Sequence, residues 1–343
     1  MALRTVARML TATLGVAALA AAGQLGVAYG LGIVRLTRVL DVTTRDQWTA
    51  QLAWVAWLAM TSAVIGAVMG VRLAPRRTYA DLPTYGVGIV IAVALAAGVG
   101  AALVVPLTMQ PARTAQIAGV HPVLVIGISA VLGAVAGVPA AVAALMAAVA
   151  RRNLLAVGAC VWAIALLSVA PSLAPDDPLP AVRLGVFDAG YLSPGVTQRT
   201  ALFTMPAVAL VAGASFGWLA RRQGRGTLTI ALAGLAGPAL LTVAYLIAGP
   251  GSGAAHYQVV PYWAAMTATG AGLLGSVLAA VVRRRKDADA PPADAAPARG
   301  RAKAPAKTAA PEPPGPAAYG WTPDGVYRTS QTGSGVSTTS PSP

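Results

Sequence analysis

Side chains that could transfer protons or bind a metal ion are scarce in this sequence, and most of them lie between long apolar runs. Asp41 and Asp46 belong to the segment RLTRVLDVTTRDQWTAQ. Asp176, Asp177 and Asp188 belong to the segment APDDPLPAVRLGVFDAGYLSPGVTQR. Such carboxylates could act as a general base or bind a hard cation, although Asp, Pro and Gly are equally typical of turns. The turn interpretation is preferred, and the five aspartates remain a candidate site.

The two histidines, His121 and His256, each precede an apolar run. They could share a metal ion or a proton if the fold brings them together. The simpler interpretation is two polar residues beside an aromatic group formed by Tyr257, Tyr262 and Trp263. The sequence has no zinc-type cysteine pair, glycine-rich phosphate loop or Ser-His-Asp set. We therefore predict no cofactor and no metal site, and we assign no catalytic residue.

Composition indicates a chain that is solvated by lipid. Of the 343 residues, 56% are hydrophobic and only 10% are charged, whereas soluble domains carry about 25% charged residues. The net charge of +14 comes mostly from arginines at the ends of apolar runs, where they meet lipid headgroups, so no nucleic-acid partner is predicted. Cys160 is the only cysteine, and it lies within an apolar run.

Eight apolar runs are each long enough to cross a hydrocarbon core of about 30 Å as a helix. The first ends near Val34, and the others are roughly 52–71, 84–107, 122–150, 153–173, 200–220, 227–248 and 258–282. Residues 1–286 are therefore predicted to form an all-α, polytopic membrane bundle of about eight transmembrane helices. The first run also has the basic start of a signal peptide, but its length favours a true span.

Residues 287–343 differ sharply from the rest of the chain. They are rich in Ala and Pro and contain few large apolar residues, so they cannot bury enough surface to fold alone. We predict a disordered cytoplasmic tail. Tyr319, Trp321 and Tyr327 are clustered within it, and they form a candidate docking motif for a cytoplasmic protein partner. Chance placement of the three aromatics is the alternative.

Positive charge predicts the orientation of the helices. One side of the membrane collects the dense basic clusters, whereas the opposite side mixes arginines with the aspartates. The dense clusters mark the cytoplasmic side, which makes both termini cytoplasmic. An arginine-rich and alanine-rich composition suggests a high-GC genome, and hence a bacterial plasma membrane. The clusters contain Arg4, Arg8, Arg72, Arg76, Arg77, Arg151, Arg152, Arg221, Arg222, Arg225, Arg283, Arg284, Arg285 and Lys286.

Glycines spaced four apart predict close packing between helices, because both lie on one helix face. The segments SAVIGAVMGV and SAVLGAVAGV carry two such pairs, and a third occurs further along the chain. A fourfold repeat of helical hairpins would explain the similarity, but so would chance in a chain rich in Ala, Gly and Val. The pairs are Gly66 with Gly70, Gly133 with Gly137, and Gly213 with Gly217.

The centres of the predicted spans contain no charged residue, and Gln24 is the most polar side chain at depth. Pro139 and Pro238 are predicted to kink their helices. The missing charges argue against a proton-coupled pump that uses a buried carboxylate. An accessory protein with a partner-recruiting tail is therefore the first hypothesis. A permease for a neutral or amphiphilic small molecule or lipid is the second, and an enzyme acting on a lipid-linked substrate at the outer face is the third. The sequence does not determine the oligomeric state.

Overall fold

A computed structural model of the chain describes residues 2–73, 86–173, 182–188, 192–251 and 257–288. The predicted tail, with Tyr319, Trp321 and Tyr327, lies outside these residues, apart from residues 287 and 288, which belong to the last helix and not to the tail. The helices are α1 (Ala2–Gly30), α2 (Asp46–Leu73), α3 (Val87–Ala101), α4 (Val104–Ala112), α5 (Pro122–Met146), α6 (Ala148–Val169), α7 (Pro194–Arg222), α8 (Thr227–Ala231), α9 (Ala236–Ala248) and α10 (Val259–Ala288). The strands are β1 (Val39–Leu40) and β2 (Gln116–Ile117), and a 3-10 turn (Ala170–Leu173) follows α6.

Seven helical segments in the described residues are long and apolar enough to cross a membrane. This confirms the prediction of a bundle of long apolar helices. Several helix boundaries differ from the predicted ones. α3 and α4 together form one of the seven segments, Val87–Ala112, which is longer than predicted. α6 begins at Ala148, so Arg151 and Arg152 lie within its first turns and not in a connection.

The predicted span 227–248 is interrupted and forms two helices, α8 and α9. Pro238 explains the interruption, because a proline ring clashes with the carbonyl group four residues earlier, which here belongs to Gly234. α9 therefore restarts at Ala236, with Pro238 in its first turn. Asn153 on α6 accepts a hydrogen bond from the free Gly237 N–H at 2.6 Å. By contrast, α5 continues through Pro139 without a break.

α2 is the centre of the bundle, and it packs against α1, α3, α5 and α9. In its most apolar window 89% of the residues are buried, against 22–44% in the other six long segments. The sequence of α2 explains this position, because a helix that is apolar all round can be enclosed on every side. The other long helices expose one face, which suits contact with lipid.

The six glycines of the predicted packing pairs each face another helix of this chain. A Cβ atom added at any of them would lie less than 3 Å from an atom of the neighbouring helix. The pairs face different neighbours. Gly66 and Gly70 of α2 lie against Ala17 and Thr13 of α1, Gly133 and Gly137 of α5 lie against Ala56 and Met60 of α2, and Gly213 and Gly217 of α7 lie against Gly272 and Ser276 of α10.

Four connections meet at one end of the bundle, which we call the loop end: residues 31–45, 113–121, 182–188, and 249–251 with 257–258. β1 and β2 pair in parallel and join the first two of these connections, with Val39 opposite Gln116. Gly251 lies against Asp46, and Arg183 donates a hydrogen bond to the Tyr257 carbonyl. Of the aspartates singled out in the sequence, Asp41 and Asp188 belong to this end, and Asp46 adjoins it at the start of α2.

Candidate functional site

Asp41 lies at the loop end in a turn that satisfies its own carboxylate. Its Oδ1 accepts hydrogen bonds from the hydroxyls of Thr43 and Thr44, both at 2.9 Å. The Thr44 hydroxyl, followed by that of Thr43, holds the pKa of the exposed Asp41 carboxyl below its usual value. An ionised, locally hydrogen-bonded carboxylate of this kind is typical of a turn.

Asp46 was predicted to lie in a loop, but it is the first residue of α2 and is only 2% exposed. The helix begins six residues earlier than the apolar run suggested. A carboxylate is stabilised in the first turn of a helix by the positive end of the helix dipole, which explains the earlier start. Gly251 has a φ of +78°, and a Cβ added there would lie 2.8 Å from Asp46 Oδ1.

Asp188 belongs to an ion pair at the loop end. Arg183 Nε lies 3.0 Å from Asp188 Oδ2, and Arg183 is only 7% exposed. Arg183 Nη1 also donates to the Tyr257 carbonyl at 3.1 Å, and its guanidinium lies 4.7 Å from the centre of the Tyr257 ring. Burial raises the pKa of the Tyr257 hydroxyl, and the Arg183 charge lowers it in part. This cluster joins residues that are 74 positions apart.

Residues 182–188 close the loop end over α2, α6 and α9. Their backbone carbonyls accept hydrogen bonds from side chains of all three helices. Val182, Leu184 and Val186 are at most 2% exposed. The bonds run from Trp54 Nε1 to the Val182 carbonyl (2.9 Å), from Tyr245 Oη to the Leu184 carbonyl (2.6 Å) and from Ser168 Oγ to the Val186 carbonyl (3.4 Å).

The remaining predicted site residues are not assembled into one centre in the described part of the chain. His121 is the exposed residue that precedes α5, and its side chain makes no capping hydrogen bond. His256, Asp176 and Asp177 lie outside the described residues. Within those residues, no group of three or more His, Cys, Asp or Glu side chains could hold a metal ion.

A second polar cluster lies within the helices, centred on Gln24. Gln24 Nε2 donates to Ser62 Oγ at 2.9 Å, and its Oε1 accepts from Thr61 Oγ1 at 3.0 Å. The same Oε1 accepts from Trp162 Nε1 at 3.4 Å. One amide side chain therefore links α1, α2 and α6. The sequence identified Gln24 but not its partners.

Beside this cluster lies a cavity of about 110 Å³, which we call the Gln24 groove. Gln24, Trp57, Thr61, Gly158, Trp162 and Leu240 are among its lining residues. The rings of Trp57 and Trp162 lie 6.3 Å apart and are inclined by 58°. The groove therefore combines one amide with aromatic and aliphatic walls.

Comparison of the chain with protein-family models, curated proteins and solved structures finds no match. The sequence did not identify Arg183, Tyr257 and Trp162 as parts of polar clusters. For Arg183 the available signal was an arginine within an otherwise apolar stretch, VRLGV.

Proposed function

We propose that this chain is an accessory protein of the bacterial plasma membrane, and that its tail, residues 289–343, recruits a cytoplasmic partner. The enclosure of α2 is the observation that supports this proposal most. A central helix that is buried along most of its length, beneath a loop end closed by residues 182–188, is suited to a rigid anchor. The aromatic residues Tyr319, Trp321 and Tyr327 then supply the docking motif.

We also propose eight crossings with both termini in the cytoplasm. Arg4, Arg8 and Arg72 lie at the helix ends opposite the loop end, as do Arg221 and Arg222, and this supports a cytoplasmic assignment for that end. The contact between Gly251 and Asp46 supports a position at the loop end for the C-terminus of α9. The interrupted pair α8 and α9 would then be the remaining crossing.

Deleting the tail tests the accessory function. The full chain and a chain ending at residue 288 would be purified from their native membranes, and the proteins that accompany each would be compared. We expect a partner with the full chain alone. A triple variant, Tyr319→Ala, Trp321→Ala and Tyr327→Ala, should lose the same partner. The proposal would be contradicted if the truncated chain and the triple variant both kept the same accompanying proteins and the same cellular phenotype as the full chain.

A permease for a neutral or amphiphilic molecule is the second candidate, and the Gln24 groove favours it. A transport path would admit water to this depth. In a Cys160→Ala background, Gly158→Cys reports on the groove and Ala163→Cys reports on the exposed face of the same helix. Labelling of Gly158→Cys, but not of Ala163→Cys, by a membrane-impermeant thiol reagent would favour transport over an anchoring role.

An enzyme acting on a lipid-linked substrate at the outer face is our third candidate. Asp41 accepts hydrogen bonds within its turn, and Asp188 forms an ion pair with Arg183. Both interactions stabilise the ionised carboxylate, which makes these residues less suited to act as a base. Asp41→Asn, Asp46→Asn and Asp176→Asn would each abolish the cellular function if the acids were catalytic. Retention of function in all three would exclude this candidate.

A further inference from the structure

We propose that the Gln24 groove binds an uncharged lipid that resides within the hydrocarbon layer and carries a carbonyl or hydroxyl oxygen. This site goes beyond the accessory function, which depends on the tail. The polar atom of the lipid would accept a hydrogen bond from Gln24, and its chain would lie against the tryptophans and aliphatic residues of the groove.

The depth of Gln24 determines the charge of the ligand. Gln24 is six residues from the end of α1 at Gly30, which corresponds to about 9 Å along the helix axis. Its hydrogen-bond partner Thr61 is fifteen residues from the start of α2 at Asp46, or about 22 Å, because α2 begins farther toward the loop end than α1 ends. Measured along either helix, the site lies within a hydrocarbon core of about 30 Å. A charged group at this depth costs at least about 2.5–3.5 kcal/mol, so the ligand is uncharged.

The hydrogen bonds of Gln24 determine the polar atom of the ligand. A glutamine amide has two N–H donors and an oxygen with two lone pairs. Ser62 takes one N–H. The oxygen accepts from Trp162 and from the Thr61 hydroxyl, whose single proton is shared with the Trp57 and Leu58 carbonyls of α2. Within the described residues, the second N–H has no partner. Because an amide donor left unpaired in an apolar medium is costly, a ligand that supplies an acceptor oxygen is favoured there.

The size of the groove excludes a second helix as its occupant. Its volume of about 110 Å³ is close to that of an apolar cavity of about 150 Å³ that accommodates benzene. A helix with its side chains is about 10–12 Å across and cannot enter such a space. A hydrocarbon chain can enter it from the side, because Leu155 and Ala159 of the lining are exposed.

Photolabelling tests this proposal with the full chain reconstituted in phosphatidylcholine vesicles. The probe is a diacylglycerol with a diazirine in one acyl chain, and the control is a phosphatidylcholine that carries the same chain. We expect the diacylglycerol to label the peptides that contain Gln24 and Trp162, and excess unlabelled diacylglycerol to abolish that labelling. Equal labelling by both probes would mean bulk lipid contact only, and it would overturn the proposal.

Two variants locate the site. A Cβ added at Gly158 has room, since its nearest neighbour is a Trp57 ring carbon at 3.9 Å, so Gly158→Leu should fill the groove and abolish the competed labelling. Ala163→Leu adds similar bulk to the exposed face of the same helix and should leave the labelling unchanged. Competed labelling that persists in Gly158→Leu, or groove residues that crosslink to another protein chain, would overturn the proposal. Partner capture by the tail is measured separately and need not change.

Discussion

Gln24 connects three helices through a single side chain, so its replacement should weaken the bundle. Gln24→Leu replaces the amide with an apolar side chain of similar size and removes the bonds to Ser62, Thr61 and Trp162. Hydrogen bonds between membrane helices contribute about 0.6 kcal/mol on average and at most about 1.7 kcal/mol. We therefore expect a loss of about 1–3 kcal/mol in the free energy of unfolding, measured by denaturant titration in mixed micelles.

Thr11→Val is the matched control for that substitution. Thr11 is on the same helix and is exposed, and among the described residues its hydroxyl bonds only to the Ala7 carbonyl of α1. Its removal should change the free energy of unfolding little. Equal destabilisation by Thr11→Val and Gln24→Leu would show that the links between helices contribute nothing measurable.

Asp41 provides a prediction about pH. The Thr44 and Thr43 hydroxyls lower the pKa of its carboxyl, so Thr44→Val should raise that pKa toward the usual value. Because the folded-state pKa is depressed, the stabilisation by these bonds is present above the unfolded-state pKa. It is lost as the pH falls through the folded-state pKa. A titration of the Asp41 carboxyl by NMR measures the shift, and exposed Thr37→Val is the control that should leave it unchanged.

Arg183 should control whether residues 182–188 stay in place. Arg183→Ala removes the ion pair with Asp188 and the bond to the Tyr257 carbonyl, and breaking a buried pair costs about 3–5 kcal/mol. Lysine should not restore both contacts, because it lacks the planar fork of donors. In a Cys160→Ala background, a cysteine at the buried position Val186 should become reactive in Arg183→Ala. It should stay protected with Arg199→Ala, which changes an exposed arginine; protection in both variants would contradict this prediction.

At the scale of helices, the contact between α5 and α2 depends on Gly133. A Cβ there would lie 2.8 Å from the Ala56 Cα, so Gly133→Ala should force the two backbones apart. Overpacking of this kind costs about 1–3 kcal/mol. Gly23→Ala makes the same change at a helical position where an added Cβ would have no described atom of another helix within 4 Å, and it should be neutral or slightly stabilising. Unfolding of both variants in mixed micelles gives the comparison, and equal stability would argue against close packing at Gly133.

The sequence predicted helices well because lipid-compatible apolar runs have few other stable conformations. It predicted their ends less well. Asp46 is polar and was assigned to a loop, although it begins α2. Pro238 was predicted to kink its helix, but the Gly237 N–H beside it bonds to Asn153 of another helix, and no local pattern reveals that partner.

At the scale of the whole molecule, the proposed topology predicts which positions face the outside. In a Cys160→Ala background, Thr114→Cys and Pro250→Cys lie at exposed positions of the loop end, and Gln223→Cys follows α7 at the other end. An impermeant thiol reagent should label the first two in intact cells and the third only after permeabilisation. If Pro250→Cys were labelled from the cytoplasmic side alone, the proposed topology would be wrong. The chain would then have fewer than eight crossings, and α10 would run in the opposite direction.

The polar clusters were less predictable than the helices because they join distant parts of the chain. Gln24 and Trp162 are 138 positions apart, and Trp54 and Val182 are 128 apart. Composition and spacing reveal which residues are polar within an apolar run, which is why Gln24 was noticed. They do not reveal which helices become neighbours, so neither the groove nor the closed loop end could be derived in advance.

The position of α2 has a consequence for how the protein is made. Its neighbours α1, α3 and α5, and both strands of the β1–β2 pair, all precede Ala147 in the chain. A ribosome that has released Met146 into the membrane has therefore already delivered both sides of the contacts at Gly66 and Gly133. Residues up to Met146 can therefore fold during translation. α9 would then pack against α2 after the later residues have been synthesised.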